Sequence, residues 1–70
     1  MKTATVQGQT VKVGDWVGFK ADIEQSGMIV EIKSSYMGDT LVLENKNGFH
    51  GGYIGGQTRT TEEADDCWVL

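Results

Sequence analysis

The sequence predicts a mostly β domain. It reads as a small closed or nearly closed barrel of about five short antiparallel strands with one short helical turn near the C-terminus. Three observations predict this. Apolar residues recur with a period of two through residues 11–20 and 28–33. Ten glycines and no proline punctuate the 70-residue chain, so glycine must make the tight turns. The tetrad Asn45-Lys46-Asn47-Gly48 is a strong hairpin signal, because Asn and Gly tolerate the positive φ that such turns demand. A chain this short buries only about 60% of the surface its unfolded form exposes, so residues 1–70 are expected to form a single domain with one thin core.

Each element follows from its residues. Thr3–Val6 and residues 10–13 are β-prone runs around Gln7-Gly8-Gln9 and predict a small hairpin. In residues 11–20 the apolar Val11, Val13, Val17 and Phe19 share one parity and face inward, while Trp16 takes the other parity and faces out. Residues 21–26 read as a polar loop ended by Gly27. Residues 28–33 alternate again, with Met28, Val30 and Ile32 inward. Residues 34–39 form a turn at Gly38, and residues 41–44 a short strand. After the Asn-Gly turn, a strand beginning at Phe49 is expected to run antiparallel to residues 41–44. Thr60 followed by Glu63 is a capping-box pattern and predicts a helical turn or two over residues 61–66. Residues 67–70 read as a last short strand.

Composition narrows the function classes. Hydrophobic residues at 39% and charged residues at 23% suit a globular domain rather than a disordered tail. The formal net charge is −4, and all of the excess lies in Glu62, Glu63, Asp65 and Asp66. The rest of the chain is balanced, so the basic stripe that displaces counterions from nucleic acid is missing. Solvated charge is the plain explanation of the acidic window. It would also repel phosphate, or mimic it toward a basic partner. Cys67 is the single cysteine, so no internal disulfide forms, which fits a cytoplasmic location. The opening residues lack the apolar run of a secretory signal. No apolar run approaches the ~20 residues that span a bilayer, so no membrane role is expected. The final four residues match the letters of a prenylation signal, and a terminal β-strand explains the same letters.

No catalytic constellation emerges. His50 and Cys67 are far apart in sequence, with nothing to bring them into contact as a nucleophile pair. No metal-ligand spacing and no phosphate-loop fingerprint occurs. The chain is therefore expected not to be an enzyme and to hold neither cofactor nor metal. The cluster at residues 48–56, with its repeated Gly-Gly pairs, has two readings. Bare backbone admits a ligand or holds an anion. Glycine also marks the bends and bulges that a small barrel needs.

The segment Val13-Gly14-Asp15-Trp16-Val17, a polar loop, and then Gly27-Met28-Ile29-Val30-Glu31-Ile32 resembles the opening of SH3-like barrels. It is most similar to the KOW type found in ribosomal proteins and transcription elongation factors. The resemblance covers residues 11–44 and implies an SH3-like barrel with a nucleic-acid-binding role. KOW loops that touch RNA tend to carry Lys or Arg before the glycine, whereas this chain has Asp22, Glu24, Gln25 and Ser26 there. Small size and an acidic end also make the chain similar in style to accessory proteins of tailed bacteriophages. That likeness implies a host factor as partner and the host cytoplasm as location.

Parity supplies the candidate surface. With Trp16 outward, Ile29 and Val42 are expected outward on neighbouring strands, and the three form one apolar patch. Tyr36, His50 and Tyr53 supplement it as aromatic contacts. Either residues 60–70 fold over the patch, with Trp68 near Trp16, or the patch is a docking site. The expected function is that of a non-enzymatic interaction module for a protein partner, as a monomer or weak homo-oligomer. The alternatives are a KOW-like nucleic-acid binder and a small-ligand binder using residues 48–56.

Overall fold

The computed structural model describes residues 2–51 and 54–70. The protein is mostly β, with 60% of its residues in strands. The strands are β1 (Thr3–Val6), β2 (Gln9–Lys12), β3 (Trp16–Ala21), β4 (Ile23–Ser35), β5 (Gly38–Glu44), β6 (Arg59–Glu63) and β7 (Cys67–Val69). A three-residue 3₁₀ turn, Ala64–Asp66, joins β6 to β7. β1 and β2 form a two-stranded antiparallel sheet. The others form a five-stranded antiparallel sheet in the order β6-β5-β4-β3-β7. Its two outer strands are thus consecutive in the chain and linked by only the 3₁₀ turn, so the sheet must curl. Among the described residues no ladder joins β6 to β7, and the expected closed barrel is not formed.

Turn chemistry accounts for several departures from the expected layout. Gln7 and Gly8 both take positive φ (50° and 77°), the twist that a two-residue hairpin needs, so β1 and β2 pair as expected. Residues 11–20 are not one strand. Gly14 (φ 99°) bends the chain, and the Asp15 carboxylate accepts from the Lys12 amide at 3.0 Å. This break leaves Val13 52% exposed rather than inward. The polar loop expected at residues 21–26 is absent. Asp22 adopts φ 73°, which Asp tolerates better than most residues, and the ladder of β3 and β4 continues up to it.

Alternation in β4 is interrupted by a β-bulge between Ile29 and Glu31. The extra residue lets Ile29 and Ile32, three positions apart, both face the core. Met28 and Val30, expected inward, are only half-buried. Ile29, expected at the surface, is fully buried. Val42 is buried as well. It sits in the middle of β5, with Glu31 and Thr61 opposite it on the two neighbouring strands.

The Asn-Gly turn forms, with the Gly48 amide donating to the Asn45 carbonyl at 2.9 Å. The strand that pairs with β5 is β6, not a strand from Phe49. The Phe49 amide instead donates to Gln57, and the Gly56 amide donates back to Phe49, which closes a loop between β5 and β6. Phe49 is buried and meets Phe19 edge to face at 5.5 Å between ring centroids. The helical turn expected over residues 61–66 shrinks to Ala64–Asp66, because Thr60 and Thr61 lie in β6 opposite Leu43 and Val42. The Thr60 hydroxyl donates to Glu62 at 3.1 Å and caps nothing.

One core unites the two sheets. Ala4, Val6 and Val11 come from the small hairpin, and Val17, Phe19, Ile29, Ile32, Leu41 and Leu43 from the large sheet. Burying each of the larger side chains contributes about 1.5–3 kcal/mol. Among the described residues no helix is long and apolar enough to cross a membrane.

Candidate functional site

The core face and the outer face of β3 alternate. Val17 and Phe19 are fully buried, while Trp16 and Lys20 are exposed on the opposite side. Gly18 shares that outer side and carries no side chain. On the strand beside it Trp16 is opposite Met28, Gly18 opposite Ser26 and Lys20 opposite Glu24. β7 extends this surface, with Trp68 opposite Gly18. A Cβ on Gly18 would collide with the Trp68 indole, so the ring lies directly over the bare backbone. Residues 60–70 lie mostly in the two outer strands, β6 and β7; Trp68 covers Gly18, and Trp16 is 47% exposed.

Two depressions result. The first, of about 390 Å³, is lined by Trp16 and Met28 on one side and by Glu44, Asn45, Lys46 and Asn47 on the other. The second, of about 230 Å³, is bordered by Ser26, Asn45, His50, Trp68 and Leu70, with Glu24 and Gln25. Asn45 belongs to both. Its side chain donates to the Ser26 carbonyl at 3.3 Å and accepts from the Asn47 amide at 3.0 Å, and its own amide donates to Thr58 at 2.9 Å. It is a fixed post between the two hollows. The Glu44 carboxylate, at the rim, is engaged by Arg59 at 3.0 Å.

The candidate residues of the sequence separate in space. Trp16 and His50 border the two adjoining depressions. Ile29 belongs to the core, and Val42, on the face of β5 opposite the core residues Leu41 and Leu43, is 6% exposed, so neither presents an open side chain. Tyr36 lies at the far tip of the hairpin formed by β4 and β5. Tyr53 lies outside the described residues. Met28 and Asn45 are not among the residues singled out by sequence. Alternation sends Met28 inward, and only the bulge reveals otherwise. Asn45 carries a visible turn signal, but nothing in the letters shows that its side chain reaches back to β4.

Among the described residues of 48–56, the glycines shape the path of their own loop. Gly48, Gly51 and Gly56 take φ of 84°, 61° and 84°. A Cβ on Gly55 would press on the Gly51 backbone. The His50 amide donates to the buried Gln25 Oε1 at 2.8 Å and ties this loop to β4. Cys67 is buried, and its thiol donates to the Glu63 carbonyl at 3.4 Å. Burial, reinforced by the nearby Glu62 and Asp66 charges, pushes its pKa up to about 11, so the group stays protonated at neutral pH. Among the described residues no three His, Cys, Asp or Glu side chains gather where they would hold a metal ion. No protein-family model, curated protein or solved structure matches this chain.

Proposed function

We propose that the protein is a non-enzymatic, SH3-like interaction module that receives an extended segment of a partner protein along the groove beside Trp16. The SH3-like assignment is supported by the strand order, with the last strand β7 beside β3, and by the 3₁₀ turn that links the two ends of the curled sheet. The exposure of Trp16 carries the functional reading. A 70-residue domain needs its apolar contacts, yet this indole remains 47% exposed beside Met28, over a hollow large enough for a side chain. Tryptophan set in a concave, partly apolar site is the residue type that most often dominates binding energy. Asn45 borders both hollows and stands between them, which suits a chain that presents successive side chains. The nucleic-acid alternative gains nothing from the ion pairs, since Lys12 and Arg59 are engaged by Asp15 and Glu44.

Selection from a displayed random-peptide library tests this. The native protein is expected to enrich peptides with a large apolar anchor, and Trp16→Ala to weaken them by about tenfold or more while the circular dichroism is unchanged. Absence of any enriched peptide, or equal binding by Trp16→Ala, would sink the proposal.

A further inference from the structure

A second surface lies at the opposite end of β4, roughly 20 Å from Met28 along the strand. There β4 and β5 are joined by Tyr36 and Met37, which are 98% and 79% exposed. Hairpin tips are ordinarily polar, and this one does not need its two apolar side chains to form. Gly38 supplies φ 121°, and the Ser35 hydroxyl accepts from the Met37 amide at 3.2 Å and donates to the Gly38 carbonyl at 3.1 Å. The backbone of the tip is thus held by Ser35 and Gly38, and Tyr36 and Met37 are presented on a preset turn.

The surroundings of the tip define what fits it. Beside Met37 a shallow notch is bordered by Asp39, Glu63 and Asp65. The register explains the grouping, since Thr40 of β5 is opposite Glu63 of β6, and the 3₁₀ turn brings Asp65 to the same end. The two ion pairs among the described residues, Lys12 with Asp15 and Glu44 with Arg59, involve none of these carboxylates. Lys33 of β4, opposite Thr40, is the nearest cation across the row, and the three carboxylates outnumber it, so the apolar knob with its acidic flank disfavours nucleic acid and anionic lipid and attracts a surface of opposite sign.

We infer that this tip is a second protein-docking surface. Its partner is a basic protein segment in which Lys or Arg alternates with large apolar residues. The apolar residues cover Tyr36 and Met37, and the cationic heads reach Asp39, Glu63 and Asp65. This assignment does not depend on the Trp16 groove, so its test is run in the Trp16→Ala background. A display library restricted to Lys, Arg, Leu, Phe, Ser and Gly is selected on the full chain, and the winners are measured as free peptides. Expected are binders that lose about tenfold or more in affinity with Tyr36→Ser plus Met37→Ser. They should also weaken as salt rises, and this salt response should flatten with Asp39→Asn, Glu63→Gln and Asp65→Asn. No enriched binder, or binders indifferent to both sets of substitutions, overturns the inference. So does tip-dependent binding to phosphatidylcholine vesicles with none to the peptides.

Discussion

Gly18 shows how much one missing side chain can decide. Its φ is ordinary, so conformational freedom is not the reason for glycine. The reason is the Trp68 indole that lies where a Cβ would be. Gly18→Ala is expected to cost about 1–3 kcal/mol through overpacking, read as a lower denaturant midpoint with unchanged cooperativity. Nothing in the letters reveals this contact, because it joins positions that only strand pairing brings together. Cys67 is a second case. Its folded pKa of about 11 stands above the ordinary 9.0, so the folded state prefers the neutral thiol. Its contribution to stability is complete below pH 9.0 and is lost as the pH rises through about 11. Denaturation midpoints across that window should fall for the native protein and fall less for Cys67→Ala. Asp15 behaves in the opposite sense. The hydrogen bond from the Lys12 amide, and then that from the Lys12 side chain, hold its carboxyl below the ordinary 3.8. Carbon-detected NMR titration should find it titrating below the ordinary 3.8, with its contribution to stability lost only as the pH falls through that lowered value.

At the scale of elements, the sequence was most legible where a single local rule governs. The Gln7-Gly8 hairpin, the Asn45 turn and the terminal β7 follow from turn chemistry and β-prone residues alone. Legibility failed where two strands settle register between them. Alternation anchored on Ile32 sends Ile29 to the surface, whereas the bulge at Val30 admits both to the core. A proposed patch of Trp16, Ile29 and Val42 therefore loses Ile29 to the core, while Val42 is covered on the outer face, and Trp16 is joined by Met28 instead. The loop between β5 and β6 misled for another reason. Phe49 has the letters of a strand residue, but its work is to plug the core beneath that loop and meet Phe19. Phe49→Ala is expected to cost about 3–5 kcal/mol, enough to unfold much of so small a domain, as urea titration followed by far-ultraviolet circular dichroism would register.

For the whole molecule, the radius of gyration is 11.2 Å, against about 11 Å expected for a compact chain of this length. The long hairpin thus projects only modestly, and its apolar tip is a local feature on one body. Among the described residues β6 is bonded to β5 alone, so its outward edge is a template for a second chain. Arg59, Glu62 and Glu63 make that edge inhospitable. Glu62→Gln with Glu63→Gln should raise self-association, seen as a higher weight-average mass by light scattering, without loss of fold. The chain's two tryptophans, finally, sit in different regimes. Trp68 is seated on β3 through Gly18, whereas Trp16 keeps half its surface in water. The molecule thereby carries two built-in optical gauges. In a Trp16→Phe protein, emission tracks the attachment of the final strand. In a Trp68→Phe protein, it reports on the water-exposed face beside Met28 that the proposed partner would cover, so the two can be followed separately without any added dye.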